Sequence, residues 1–170
     1  MARLEIVVLG LLLGAAAPAP RMELSSPDVA PGATLANAQV YSGCGGGNVA
    51  PALSWRGAPA TTKSYAATVF DPDAQGGWWH WIVYDIPANA HALAGAPPAG
   101  ARMGTNDFGA RAYGGACPPP GSGVHHYRIT LWALDIARLP VDGNAKGAAI
   151  EPILKAHTLA RANLTATYER

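Results

Sequence analysis

The chain has 170 residues, a length that predicts one domain, and hydrophobic residues make up 49% of it, enough to build a core. Its 12 lysines and arginines balance 11 aspartates and glutamates, so no basic excess is available to neutralise a nucleic-acid backbone. Two cysteines are too few for a disulfide-dense scaffold or for a zinc site made of four cysteines.

The first residues have the pattern of a secretory signal peptide. A short basic start precedes an apolar segment, Ile6 to Ala17, that is too short to span a bilayer. We therefore predict a signal peptide over residues 1–19 and a periplasmic or secreted product. The alternative is a translation start at Met22, which would leave the protein in the cytoplasm. No other apolar run reaches membrane-spanning length, so we expect no transmembrane segment in the mature chain.

Three apolar runs that are rich in aromatic and β-branched residues predict strands. They cover Ser64 to Asp71, Trp79 to Asp85 and Tyr127 to Asp135. Turn sequences rich in glycine, proline and aspartate separate them. Because each run is mainly apolar, we expect each strand to be covered on both faces.

The C-terminal part of the chain predicts a helix and a last strand. The helix covers Glu151 to His157 and should begin there, because Pro152 is tolerated only in a first turn. The strand covers Ala162 to Tyr168. Together these elements predict one mostly β domain over residues 22–170 with one or two short helices.

The second predicted strand carries a histidine among tryptophans. Strict alternation should place Trp78 and His80 on one face and Trp79 and Trp81 on the other. His80 is then either a buried strand histidine with a single hydrogen bond or part of a pocket wall next to an indole ring. The local sequence leaves both interpretations open.

Polar residues also lie at the ends of the other two strands. Asp71 and Asp73 end the first strand, either as turn residues or as functional carboxylates. A loop rich in glycine and proline, from Gly114 to Gly123, precedes the third strand. Its backbone N–H groups could form an anion-binding nest, or the segment is an ordinary surface loop. His125 and Tyr127 should share one face of the strand that follows.

If these three strand ends adjoin, their side chains form a small polar pocket with aromatic walls. Two imidazoles and a phenol can donate hydrogen bonds to a phosphate, and backbone amides can complete its shell. A nearby carboxylate would orient a histidine, raise its pKa and repel a dianion. The pattern therefore predicts a site for a phosphate monoester or diester whose alcohol part carries a positive charge.

Four motifs follow one another along the chain. They are Cys44 to Trp55, Asp71 to Gln75, Gly77 to Trp81 and Gly104 to Tyr127, and the ending from His157 to Arg170 completes the pattern. Through them the chain resembles the phosphatidylethanolamine-binding protein family, whose bacterial members are Raf kinase inhibitor-like proteins. The resemblance covers roughly residues 22–170 and implies a mostly β fold of two antiparallel sheets with short peripheral helices.

The resemblance also implies a surface pocket for anions. With Trp78 added from the strand pattern, the ligand-binding residues carried over by position are Asp71, Asp73, Trp78, His80, Gly114, Gly115, Pro118, His125 and Tyr127. We therefore expect a non-enzymatic protein that holds phosphate esters or phospholipid head groups, with no metal, cofactor or nucleic-acid partner. An inhibitor of a kinase or serine protease, acting through the pocket loops, is the alternative. A metal-dependent hydrolase is the third possibility.

Two rim residues depart from the family pattern. Gln75 stands where the family has a proline, and His126 stands where it has an arginine, which removes a fixed positive charge. The resemblance therefore does not determine which ligand these two altered rim residues favour.

The two cysteines, Cys44 and Cys117, both lie in family motifs near the pocket loops. In an oxidising compartment we expect them to form one disulfide. The alternative is a pair of buried thiols that never react.

Overall fold

A computed structural model describes residues 21–170, and the predicted signal peptide over residues 1–19 lies outside them. Two antiparallel sheets and one α-helix form this part of the chain, which confirms the predicted mostly β architecture. The elements are β1 (Glu23–Ser25), β2 (Leu53–Arg56), β3 (Ser64–Asp71), β4 (Trp78–Pro87), β5 (Ala92–Leu93), β6 (Arg102–Met103), β7 (His125–Leu134), α1 (Gly147–His157) and β8 (Thr158–Tyr168). Two single 3-10 turns, Asn37–Gln39 and Ser42–Cys44, precede β2. No helix in the described range is long and apolar enough to cross a bilayer.

The larger sheet has five strands in the order β6-β4-β3-β7-β8, and the smaller sheet has three in the order β1-β2-β5. β3 is the central strand of the larger sheet, and all its residues except the half-buried Phe70 are buried. This burial confirms the prediction of a strand covered on both faces. β4, β7 and β8 begin earlier than predicted, and β8 follows directly on the helix.

Hydrophobic residues pack against both faces of the larger sheet. On one face, Leu53 of the smaller sheet joins a cluster that includes Val69 of β3. On the other face, Ile150 and Leu154 of α1 pack into a cluster with Ile82 of β4. The larger sheet is therefore the middle of three layers, between the smaller sheet and the helix.

A β-bulge interrupts β4 beside the end of β3. Val69 pairs with Trp81 and the next residue, Phe70, pairs with Trp79, so His80 is the extra residue. Trp81 consequently packs between the two sheets, whereas Trp79 packs against Phe70 on the helix side, with ring centroids 4.6 Å apart. The expectation that these two tryptophans share a face is wrong, because strict alternation fails at the bulge.

The helix begins at Gly147, four residues before its predicted start at Glu151, and Pro152 lies in its second turn. An interior proline costs about 3 kcal/mol through its missing hydrogen bond and its ring contact. Ile150 and Leu154 are fully buried on the sheet, and each contributes roughly 1.5–3 kcal/mol by leaving water. Packing of this face therefore offsets the proline, which a local rule cannot foresee.

Candidate functional site

A pocket of about 560 Å³ opens at one end of the larger sheet. Because β3 is antiparallel to both of its neighbours, its last residues lie beside the first residues of β4 and β7. This topology brings the three predicted polar strand ends together. Seven of the nine predicted ligand-binding residues line the pocket: Asp71, Asp73, Trp78, His80, Pro118, His125 and Tyr127.

The other two, Gly114 and Gly115, do not line the pocket. The Gly114 N–H donates to the His80 carbonyl oxygen at 2.9 Å, and the Gly115 N–H donates to Asn48 Oδ1 at 2.7 Å. A Cβ on Gly115 would come within 2.4 Å of backbone atoms of Val40 and Tyr41, so close chain packing requires glycine there. These two amides of the predicted nest thus have protein partners and are not free to bind a ligand.

His80 contributes a ring nitrogen, Nε2, that makes no hydrogen bond within the described residues. Its Nδ1–H donates to the Gly114 carbonyl oxygen at 2.7 Å, and since a carbonyl only accepts, the proton is on Nδ1. Nε2 is buried and has no hydrogen-bond partner among residues 21–170. Burial lowers the pKa of His80, against the opposing effects of the Gly114 carbonyl and the Asp71 charge. The neutral ring offers an acceptor, whereas the sequence predicted that both imidazoles of the pocket donate.

Two further pocket-lining side chains carry buried polar atoms without a partner in the described part of the chain. They are Nε1 of Trp78 and the hydroxyl of Tyr127. Burial raises the pKa of Tyr127 well above its usual range, so the phenol stays protonated and can donate. An indole N–H can only donate. Each such group costs about 1–3 kcal/mol while its hydrogen bond is missing, and a bound ligand would restore that bond.

Asp71 links the strand ends through both of its carboxylate oxygens. Oδ1 accepts hydrogen bonds from the N–H groups of Asp73 at 2.8 Å and Ala74 at 3.2 Å, which holds the turn after β3. Oδ2 accepts from Nδ1 of His125 at 2.7 Å. Nε2 of the same ring lies 3.0 Å from Oγ of Ser122. One side chain of Asp71 therefore both holds the turn and lines the pocket.

The rim is formed by more exposed groups. Asp73 Oδ2 accepts hydrogen bonds from the backbone N–H of His126 at 2.7 Å and from its Nδ1 at 2.8 Å. These two bonds lower the pKa of Asp73. Gln75 lines the pocket next to them, while His126 itself does not. Nowhere in residues 21–170 do three or more His, Cys, Asp or Glu side chains form a group that could hold a metal ion.

Phe108 and Ser122 are among the pocket residues that were not predicted as site residues. Phe108 meets Trp78 edge to face at 5.4 Å and His80 at 5.6 Å between ring centroids, and it stacks on Tyr41 at 4.5 Å. Ser122 enters the pocket through its contact with the histidine described above. Both residues lie in loops whose sequence has no periodic pattern, so only the folded conformation of each loop brings them to the pocket. The one available signal was their position inside the fourth motif, Gly104 to Tyr127.

Cys44 and Cys117 form a disulfide, with their Cα atoms 5.9 Å apart. The bond joins the second 3-10 turn to the glycine- and proline-rich loop. Cys117 itself lines the pocket, next to Pro118. The structure thus contains the predicted pairing, and the disulfide anchors one pocket wall to the segment before β2.

Known proteins are similar to this chain in sequence and in fold. A family model described as phosphatidylethanolamine-binding protein matches residues 25–169. The chain is 44% identical to the UPF0098 protein YbcL of Escherichia coli over 90% of each chain, and 40% identical to YbhB of the same bacterium over 86% of this chain and 99% of YbhB. The crystal structure of YbcL, described as a new member of the mammalian PEBP family, superposes with a TM-score of 0.85 at 43% identity, covering 88% of this chain and 99% of that chain. A structure described as a PEBP homologue from Chlamydia trachomatis superposes with a TM-score of 0.77 at 29% identity, covering 89% and 99%.

Proposed function

The chain belongs to the phosphatidylethanolamine-binding protein family, and from this membership we propose that it is a non-enzymatic protein that holds phosphate esters, including phospholipid head groups, in the pocket between β3, β4 and β7. One observation carries the proposal. Three buried polar groups of this pocket, from Trp78, His80 and Tyr127, have no hydrogen-bond partner within residues 21–170. Native structures rarely bury such groups without a partner, so their concentration here points to a polar ligand.

A phosphate ester matches the chemistry of these groups. The Trp78 N–H and the Tyr127 O–H can donate to phosphoryl oxygens. Nε2 of His80 can accept a hydrogen bond from a protonated phosphate, or take up a proton and then donate to the anion. The Asp73 carboxylate at the rim favours an alcohol part with a positive charge, such as an ammonium group.

An NMR titration with phosphoethanolamine tests this function. We expect saturable shifts around Asp71, His80 and Tyr127, and an affinity at least about tenfold lower in His80→Ala, a loss of about 1.4 kcal/mol. His157→Ala is the matched control, because that histidine is outside the pocket and pairs with Asp135 on the surface. Equal affinities in the wild type and His80→Ala would refute the assignment. Parallel titrations with inorganic phosphate and glycerophosphoethanolamine separate phosphate binding from head-group binding.

A hydrolase is the second candidate, and the contacts of Ser122 favour it. Asp71, His125 and Ser122 are connected in the order carboxylate, Nδ1, Nε2 and hydroxyl, at 2.7 and 3.0 Å. In an ester hydrolysis Oγ would attack the acyl carbon while its proton passes to Nε2 and then to the leaving alcohol. Water would release the acyl group by the same route. Against this role, Oγ also donates to the Pro119 carbonyl oxygen at 2.8 Å, which competes with the histidine.

Covalent labelling separates this candidate from simple binding. A fluorophosphonate probe should add to Ser122 in the wild type and not in Ser122→Ala, with Ser25→Ala as a control on an exposed serine far from Ser122 in the chain. Hydrolysis of p-nitrophenyl acetate should disappear in the same variant. Absence of labelling and of turnover in the wild type removes the hydrolase and leaves the binding function unaffected.

We also infer that the protein acts in the periplasm or outside the cell. Disulfides persist in oxidising compartments and are rare in the cytosol. The bond between Cys44 and Cys117 supports this location. It agrees with the signal-peptide pattern predicted over residues 1–19.

A further inference from the structure

A second cavity, of about 440 Å³, lies on the helix-covered face of the larger sheet. Residues of β3, β4, β7, β8 and α1 line it, and none of them lines the pocket described above. It is therefore a separate site in the layer between the sheet and the helix.

Positive charge dominates the lining of this cavity. Arg128, Lys155 and Arg161 face a single carboxylate, Glu151. Glu151 makes a salt bridge to Lys155 at 2.9 Å, one helical turn away. Neither arginine has a carboxylate within salt-bridge distance anywhere in residues 21–170. Because the whole chain carries a net charge of only +1, this local excess is not a general property of the surface.

The floor of the cavity adds neutral donors. Thr130 and Asn163 are directly opposite each other on β7 and β8, and the threonine hydroxyl donates to Asn163 Oδ1 at 2.8 Å. This bond occupies the amide oxygen, so the two Nδ2 hydrogens remain available. The polar floor and the charged walls therefore present mainly hydrogen-bond donors.

The strand register sets the spacing of the two arginines along the sheet. Two residues before Thr130 on β7, Arg128 pairs with Thr165 of β8. Two residues after Thr130, Trp132 pairs with Arg161 of β8. These outer pairs are four residues apart, about 13 Å along the strands. Lys155 approaches from the helix above them. Positive groups thus surround the neutral donors on three sides, with room for more than one anionic group between them.

We propose that this cavity is a second anion site, which takes a small molecule that carries two or more linked phosphate groups. Guanidinium groups stay charged at all physiological pH values and bind phosphate through two parallel hydrogen bonds. The separated positions of Arg128 and Arg161 allow each to bind a different phosphoryl group of one ligand. The first pocket has the opposite character, because Asp71 and Asp73 disfavour a multiply charged anion there.

Calorimetric and NMR titrations of the whole chain with inorganic triphosphate, at about 0.15 M salt to screen weak surface attraction, test the proposal. We expect saturable binding with shifts at Thr130 and Asn163. Arg128→Gln and Arg161→Gln should each lower the affinity at least tenfold. Arg138→Gln is the matched control, because it removes the same charge from an exposed loop position outside both cavities. Unchanged phosphoethanolamine binding in the arginine variants shows that their fold is intact. If that ligand does not bind, an unchanged near-UV circular dichroism spectrum shows the same.

Three results would overturn the proposal. The first is a triphosphate response confined to the first pocket and lost in His80→Ala. The second is an equal loss of affinity in Arg138→Gln and Arg161→Gln, which would mean attraction by net charge alone. The third is equal binding of citrate and triphosphate, which would remove the preference for phosphate.

Discussion

Asp71 and Asp135 make nearly identical bonds to histidine in opposite surroundings. The oxygen-to-nitrogen distances are 2.7 Å to His125 and 2.8 Å to His157, but the first pair is 4% and 6% exposed and the second 51% and 34%. A buried carboxylate that also holds a turn loses its charge-assisted bonds when it is neutralised, whereas an exposed pair contributes little. Asp71→Asn should therefore lower the free energy of unfolding by about 2–4 kcal/mol, and Asp135→Asn by at most about 1 kcal/mol. Urea unfolding at neutral pH measures both, and equal losses would contradict the assignment of Asp71 as the central buried group.

His80 makes the stability of the fold depend on pH in one direction. Burial lowers its pKa in the folded protein, while in the unfolded chain it titrates near its ordinary value of about 6.5. Below that pH the unfolded chain binds a proton that the folded protein does not, so stability falls as pH falls. His80→Asn keeps a short N–H donor for the Gly114 carbonyl and does not titrate. Between pH 7 and pH 5 it should lose less stability than the wild type in urea unfolding, and parallel losses would mean that His80 is not a buried neutral ring.

Single-residue chemistry was only partly predictable from the sequence. The motifs identified Asp71, His80 and His125, because their positions at strand ends follow directly from where the apolar runs stop. The proton position on His80 depends on the Gly114 carbonyl, 34 residues further along the chain, and no local pattern encodes that contact. Ser122 was missed for the same reason, since its role depends on how the loop closes over the strand.

At the scale of elements, the disulfide determines how firmly the pocket loop is held. It closes a sequence separation of 73 residues, which by loop-closure entropy corresponds to about 4 kcal/mol as an upper value. The Cys44→Ser, Cys117→Ser double variant should unfold at lower urea concentration and exchange the amide hydrogens of the segment from Tyr113 to Pro120 faster. Thiol titration of the unfolded, unreduced wild type should find no reactive thiol, and two reactive thiols would show that the bond is absent.

Strands were easier to predict than the helix, and the difference has a physical cause. Central strands need apolar, β-branched and aromatic residues on both faces, so β3 could be read from composition with its observed bounds. The start of α1 is determined by contacts of Ile150 and Leu154 with the sheet, which no local rule contains. The bulge at His80 is likewise a property of two paired strands rather than of one sequence.

At the scale of the whole molecule, a net charge of +1 conceals two sites of opposite character. The first pocket contains carboxylates and neutral donors, and the second cavity contains three cations and one carboxylate. The larger sheet is shared by both, because one site opens at its end and the other on its helix-covered face. The summed charge gives no reason to expect nucleic-acid binding, but it is silent about small anions, whose binding depends on local charge.

Compartment is the remaining property of the whole molecule, and it connects the N-terminal sequence to the disulfide. If residues 1–19 direct export, the chain meets an oxidising environment in which Cys44 and Cys117 can pair. The chain, produced from Met1 in a bacterium with a periplasm, should appear in the periplasmic fraction with its first residue between Ala16 and Met22 and without reactive thiols. Leu12→Arg, which places a charge in the apolar segment, should leave it in the cytoplasm with both thiols reduced. A wild-type product that starts at Met22 in the cytoplasm would instead support internal initiation and would remove the compartment argument for the disulfide.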